Sequence, residues 1–312
     1  MSPRYKRPPG EGRLIQLVYY AFVGGSSLAR ALPERISYGL ARAIGRLAAR
    51  FSKQRDQVLA NLSRTSGKPL GSPELDDLLV KAYQSYARYW LETFALVRED
   101  QDFFLDRFRS VTQDRLFDHV SGGKGAIVVA GHLGNWDAAG AWVGANGHLV
   151  VTVAEVLKPR RMFDFFVSHR AKLGMVIHPA ERGATVKLAE AVENGAVVAI
   201  VGDRDLKGRG PVVEFFGEQV PFPAGPASVA LKTGAPVFIA GVYGTVHEDG
   251  KRGWTADISG PIEIGSGSGP EAIQEITQRV ARELERCVAK HPEEWHVFQP
   301  FWPSDRKEKT GA

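Results

Sequence analysis

What the chain lacks narrows it first. It has one cysteine, Cys287, in 312 residues, so no intrachain disulfide can form and cysteine usage says nothing of the redox compartment. Cys287 falls in a helical pattern and reads as a packing residue. Neither CxxC nor HExxH occurs and the eight histidines are scattered, so no metal site is expected. No GxSxG elbow is present, which argues against a serine nucleophile and an acyl-enzyme. No GxGxxG follows the first strand, which argues against a dinucleotide module. No apolar run reaches the roughly 20 residues of a membrane span. The early apolar stretch 14–29 is broken by Gly24-Gly25-Ser26-Ser27 and lacks a small-residue cleavage site, so no signal peptide is expected.

What is present describes a globular chain, 44% hydrophobic and 24% charged, long enough for a full hydrophobic core. The net charge of +5 points to an anionic partner. No recognisable nucleic-acid module accompanies the basic residues, so an anionic membrane surface or a phosphorylated substrate is the better match. Residues 1–12 are polar and rich in proline, glycine and base, which predicts a mobile arm. The stretch 33–51 is amphipathic. Ile36, Leu40, Ile44 and Leu47 recur at helical spacing, Arg35, Arg42, Arg46 and Arg50 supply charge, and acidic residues are nearly absent. A basic helix of this kind lies on an anionic bilayer, or packs its apolar side on its own domain and leaves the basic side in water. Tyr19, Tyr20, Tyr38, Tyr83, Tyr86, Tyr89 and Trp90 suit a membrane interface. Helices are predicted over 53–63 and 74–96, joined by a Gly- and Pro-rich loop.

From Gly125 onward strands and helices alternate. Strands are expected at 126–130, 149–154, 175–179, 197–202, 211–216 and 236–243, with an edge strand at 254–259. Helices are expected from 138, over 161–173, 185–193, 224–233 and 270–290. This order predicts an α/β fold, a mainly parallel central sheet flanked by helices, with an N-terminal helical extension that associates with a membrane. The expected division is residues 1–65 for that extension, 66–302 for the catalytic α/β domain and 303–312 for a polar tail.

The chemistry-bearing stretch is Gly131-His132-Leu133-Gly134-Asn135-Trp136-Asp137, between a predicted strand and a predicted helix. Ligands bind at such carboxyl ends of parallel strands. Histidine is the usual general base near neutral pH, and a carboxylate that accepts from one ring nitrogen leaves the other free to take a proton. Gly134 lets the backbone turn and approach a ligand, and Asn135 is a helix-cap type. Taken alone, the same residues also read as a capped helix whose histidine packs or faces water. Two further strand ends carry polar groups: Glu155 after one, Asp203, Arg204 and Asp205 after another. Arg170 lies on the helix after Glu155, able to pair with it or with a substrate phosphate. Arg209, within Gly208-Arg209-Gly210, and Lys232 would add positive charge at the same rim, or are solvated charges.

The block AIVVAGHLGNWDAAGAW resembles the glycerolipid acyltransferase superfamily, marked by His-x4-Asp. VAEVLKPRRMFDFFVSHR (153–170), GDRDLKGRGPVVEFFGEQVPFPAGPASVALKTGA (202–235) and WHVFQP (295–300) are similar to the branch that holds lipid A acyltransferases and phosphatidylinositol mannoside acyltransferases. HLGNWD and DRDL look closer to the mannoside side of that branch. The resemblance covers roughly 14–302.

It implies that His132 is the general base and Asp137 its support. It implies that Asp203, with one methylene less than the glutamate often found there, assists His132. Glu155 and Arg170 match polar positions lining the family's site, Arg204 belongs to the same block as Asp203, and Arg209 and Lys232 fall in blocks that approach the donor. The implied reaction is direct transfer of a fatty acyl group from a thioester to a glycolipid hydroxyl, without metal or cofactor. Acyl-coenzyme A or an acyl carrier protein is the donor and a phosphatidylinositol mannoside the leading acceptor. The aromatic N-terminal helices and Phe163, Phe165 and Phe166 are expected to line an acyl groove. The implied location is peripheral, on the cytoplasmic face of the inner membrane. A lipid A type transferase, a thioesterase in which His132 activates water, and a non-catalytic lipid-binding protein of the membrane surface are the competing readings.

Overall fold

A computed structural model describes residues 13–205, 208–265 and 267–305. The predicted arm 1–12, Leu206 and Lys207 of the DRDLK stretch, and residues 306–312 of the predicted tail lie outside the described residues.

The chain begins with α1 (Arg13–Ala31), α2 (Glu34–Phe51), α3 (Arg55–Ser66) and α4 (Pro73–Leu96). Local chemistry sets their limits. Gly67 takes the left-handed conformation that ends α3, as a residue without Cβ does readily. The Ser72 hydroxyl accepts from Leu75 N and Pro73 opens α4, a capped start with a preset φ. None of the described helices is long and apolar enough to cross a membrane.

α2 reverses the usual amphipathic arrangement. Its small residues Ala41, Gly45 and Ala49 are buried, where it packs on α4. Its apolar row Ile36, Leu40, Ile44, Leu47 and Phe51 is exposed, Leu47 by 61% and Phe51 by 71%. The reading in which that apolar row packs on its own domain is therefore not what the chain does.

α5 (Gln101–Arg107), β1 (Phe108–Ser110) and α6 (Asp114–Ser121) follow, then β2 (Ala126–Ala130), α7 (Trp136–Ala145), β3 (Val150–Ala154), α8 (Arg160–Lys172), β4 (Met175–Pro179), α9 (Ala184–Glu193) and β5 (Val197–Val201). After the hairpin β6 (Val212–Phe215) and β7 (Glu218–Pro221) come α10 (Gly225–Thr233), β8 (Val237–Val246), β9 (Arg252–Ile262) and α11 (Gly269–Lys290). Seven strands form one sheet in the order β1-β9-β8-β2-β5-β3-β4, parallel except where β8 meets β9. This is the mainly parallel α/β fold that the alternation of elements predicts.

The sheet is covered on both faces. Ile127 and Val129 of β2 join the core packed by α9, α10 and α11, while Ala126 and Val128 join the core packed by α6 and α7, as the period-two alternation of a strand requires. Cys287 is fully buried in the first of these cores, a packing residue as read.

Two expectations need correction. The segment 254–259 is not an edge: β9 pairs antiparallel with β8 and parallel with β1, which is the edge strand. The 211–216 strand does not join the central sheet but pairs with β7, its turn made by Phe216 and Gly217, both at positive φ. Residues 303–305 are anchored, Asp305 pairing with Arg64 at 2.6 Å.

The seating of α2 on α4 supplies a test. A Cβ built on Gly45 would lie 2.5 Å from Gln84 Cα, so even alanine drives backbone from backbone. Alanine gains about 1 kcal/mol of helix propensity over glycine, but overpacking of this kind costs about 1–3 kcal/mol. Gly45→Ala is expected to lower the thermal midpoint; a midpoint at or above wild type would show that α2 is not seated this tightly.

Candidate active site

β2, β5 and β3 are neighbours in the sheet and run parallel, so the loops at their carboxyl ends meet. His132 leaves the end of β2 and Asp203 the end of β5. The Asp203 carboxylate is fully buried and lies against His132 on two sides. Oδ1 is 2.6 Å from His132 Nδ1, and Oδ2 accepts the His132 backbone N–H at 2.8 Å. Trp295 Nε1 also donates to Oδ2, at 2.8 Å. A carboxylate only accepts, so in the neutral ring Nδ1 carries the proton and Nε2 presents its lone pair. The shorter aspartate does reach. Burial acts to raise the Asp203 carboxyl, but His132 and the hydrogen bonds from its ring, its backbone and Trp295 outweigh that and hold it below the usual aspartate value.

The loop itself is clamped by the segment that follows α11. Leu133 bridges to Trp295, Gly134 N donates to Glu294 O at 2.9 Å, and His296 N donates to His132 O at 2.7 Å. Gly134 has a φ of 54°, and a Cβ there would sit 2.4 Å from Val242 O. The close approach that calls for glycine is thus to β8. Asn135 caps α7, its Oδ1 accepting from Ala138 N at 3.1 Å.

Asp137 is placed differently from the expectation. It is buried beside Arg170, whose Nε donates to Oδ1 at 2.6 Å, and Tyr89 Oη donates to Oδ2 at 3.3 Å. No hydrogen bond joins it to His132 among the described residues; the ring is held by Asp203. Arg170 accordingly pairs with Asp137 and not with Glu155, which is exposed at the end of β3. Arg204 is half-buried beside Asp203. Arg209 is exposed, its backbone N–H and that of Gly210 bound by Asp205 Oδ2 at 2.6 Å each. Lys232 stands apart. It lies in the last turn of α10, just ahead of β8, whose start is level with the start of β2, so it sits at the opposite edge of the sheet from His132.

Beneath α7 lies a cavity of about 110 Å³, its apolar wall including Val128, Trp142, Val143, Val150, Met175 and Ile258, with Asp137 and Arg170 also on its lining. Phe163, Phe165 and Phe166 are not part of that lining. Phe165 and Phe166 pack with Phe22 of α1, which joins α8 to the N-terminal helix.

Several polar residues around the site went unread in the sequence. Ser85 Oγ lies 2.9 Å from both Glu294 Oε2 and His296 Nε2, and Arg88 Nη2 donates to Glu294 at 2.6 Å. Ser85, Glu294 and His296 are buried and Arg88 half-buried, a polar group shared by α4 and the segment after α11. Only the WHVFQP block hinted at it, because the α4 partners sit in a helical pattern that looks like ordinary packing.

The sequence model of the bacterial lipid A biosynthesis acyltransferase family matches residues 10–304. A phosphatidylinositol mannoside acyltransferase of Mycolicibacterium smegmatis is 35% identical over 98% of this chain and 97% of its own. One from Mycobacterium tuberculosis is 32% identical over 94% and 91%. The chain is an O-acyltransferase. It belongs to the bacterial lipid A biosynthesis acyltransferase family.

The buried histidine sets a pH dependence. Burial, then Arg88, then His132 push His296 well below the ordinary histidine value. The unfolded chain binds a proton on that ring below about pH 6.5, while the folded chain keeps it neutral. The resulting stability is complete above that pH and is lost as pH falls toward the depressed folded value, by up to about 1.4 kcal/mol per pH unit. His169, also lowered by burial, adds a contribution of the same sign. Denaturant melts between pH 7 and pH 5 are expected to show stability falling with pH, and a smaller slope in His296→Gln. An unchanged slope in that variant would remove His296 from the account.

Proposed function

We propose that this acyltransferase moves a fatty acyl group from acyl-coenzyme A directly to a hydroxyl of a phosphatidylinositol mannoside, with His132 as general base. The carrying observation is the 2.6 Å contact between His132 Nδ1 and Asp203 Oδ1, which leaves Nε2 as the free base at the carboxyl ends of the strands. The acceptor O–H bond breaks as Nε2 takes its proton, and the oxygen forms a bond to the thioester carbonyl carbon. The C–S bond then breaks, and the departing thiolate recovers the proton from His132. General base help of this kind contributes about 10² to 10⁴ in rate; holding the two substrates together supplies much of the remainder.

The surroundings support the reading. The apolar cavity beneath α7 offers the acyl chain a place out of water, and Arg204 and Arg209 bring positive charge to the loop after β5, suited to the phosphates of the donor. The relatives' names supply the acceptor class. The outward apolar row of α2, flanked by the exposed Arg35, Arg42, Arg46 and Arg50, together with exposed Leu17, Val18, Tyr20 and Leu28 of α1, suits the cytoplasmic face of an anionic bilayer. There the apolar side chains enter the lipid and the guanidinium groups meet the head groups.

Purified protein given radiolabelled palmitoyl-coenzyme A or palmitoyl-acyl carrier protein, with mannoside and lipid A precursors as acceptors, tests this. Label is expected on the mannoside from coenzyme A, with none transferred by His132→Ala. Asp203→Asn is expected to lower kcat by about 10² to 10⁴. Its amide oxygen must serve the His132 and Trp295 N–H groups, which turns its NH2 toward Nδ1 and moves the ring proton to Nε2. Free palmitate released whatever acceptor is offered would favour a thioesterase, and full activity in His132→Ala would end the base assignment.

A further inference from the structure

Glu92 is a buried carboxylate on α4 that the proposed chemistry does not use. Its contacts join three distant parts of the chain. Oε1 accepts from Tyr38 Oη of α2 at 2.6 Å, while Oε2 accepts from Trp254 Nε1 of β9 at 2.9 Å and from Asn135 Nδ2 at 3.1 Å. Arg88 Nε stands 3.5 Å away, one helical turn back, with its Nη2 committed to Glu294.

Burying a carboxylate is expensive unless its lone pairs are answered. Packing at this joint alone would be met more simply by an apolar residue, since matched replacement of a buried polar group by an apolar one is often neutral or stabilising. What the carboxylate does that an apolar residue does not is grip Asn135. That residue sits between His132 and Asp137 and serves two ends at once. Its Oδ1 caps α7 through Ala138 N, and its Nδ2 is held by Glu92. The grip fixes the loop from the side opposite to Asp203. His132 is thereby held by Asp203 at its ring and backbone, by the terminal segment at its carbonyl, and by Glu92 through the cap three residues on.

We propose that Glu92 is a positioning residue of the transfer reaction, acting through Asn135 on the loop that carries His132. The proposal rests on His132 being the base, and its tests separate from tests of that assignment. A loop released on this side would still bind both substrates, because Glu92 touches neither the apolar cavity nor the arginines after β5. It would hold the base less often in line with the acceptor hydroxyl. The loss therefore falls on kcat.

The experiment measures kcat and KM for donor and acceptor in Asn135→Ser, Glu92→Met, the double variant, Glu92→Gln and Trp254→Phe, beside His132→Ala, with folding followed by circular dichroism and thermal midpoint. Serine keeps the cap on Ala138 N and removes only the donor to Glu92. Asn135→Ser and Glu92→Met are each expected to lower kcat by about 10- to 100-fold, the size of effect that a misplaced reacting group produces, with both KM values within about two-fold of wild type. The double variant is expected to lose no more than either single one, since both break the same tie. Glu92→Gln is expected to recover most of kcat, because its oxygen can serve Asn135 and Trp254 while its NH2 meets the Tyr38 oxygen. Trp254→Phe, which removes another donor to the same carboxylate outside the loop, is expected to leave kcat within about two-fold.

Losses that multiply in the double variant, an unchanged kcat in Asn135→Ser, or an equal loss in Trp254→Phe would each overturn the proposal while leaving a dead His132→Ala to support the base. An active His132→Ala would instead remove the base on which the proposal rests, and the proposal with it. If Glu92→Met does not fold, the contrast between Asn135→Ser and Trp254→Phe decides the matter alone.

Discussion

The arrangement depends on one buried carboxylate. Asp203 accepts from the His132 ring, the His132 backbone and Trp295, and so ties the ends of β2 and β5 to the segment that follows α11. An unpaired charge in this position would be prohibitive, and each donor makes the other contacts stronger by excluding water. The same interaction sets the tautomer of His132. Structure and proposed chemistry therefore share one group. The carboxylate that holds the loop to the sheet is also the one that frees Nε2.

The N-terminal helices are built into this frame and are not merely attached to it. α2 turns its small residues inward and its large apolar ones outward, which lets it lie close on α4. α4 in turn carries Tyr89 to Asp137, Ser85 to His296 and Glu92 to Asn135. The helix that exposes the apolar and basic surface is thus one layer from the loop that carries His132, and Tyr38 spans that layer by reaching Glu92 from α2.

How far the sequence showed this follows from physical signals of different range. The central strands were legible almost to the residue, since strands buried on both faces read as unbroken apolar runs. β1, three residues long, has no pattern to read, and without it β9 was expected at the edge. The hairpin of β6 and β7 looked like one strand because its turn depends on Phe216 and Gly217 taking positive φ, which sequence pattern does not announce. His132 and Asp203 were found because each follows a strand that is unmistakable. The placing of Lys232 at the rim beside His132 fails on strand direction. A helix that leads into a parallel strand ends at that strand's amino edge, so its last turn cannot reach the carboxyl edge where His132 lies. Ser85, Arg88 and Glu92 were invisible for another reason: polar residues on a long amphipathic helix look solvated until a partner segment far along the chain is known.

The two aspartates divide work that the His-x4-Asp spacing on its own assigns to one. Asp137 enters α7 in its first turn, where a helix favours negative charge, and there it faces Arg170 and Tyr89 while Asp203 takes the ring. The ion pair with Arg170 is well matched, since a guanidinium answers both carboxylate oxygens and Tyr89 donates as well. Without Asp137 the largely buried arginine would be a charge with no carboxylate counterpart beside an apolar cavity. The spacing in the motif is therefore a helix-entry constraint. It keeps the second carboxylate occupied by Arg170 and Tyr89, so that of the two aspartates Asp203 alone meets the His132 ring among the described residues.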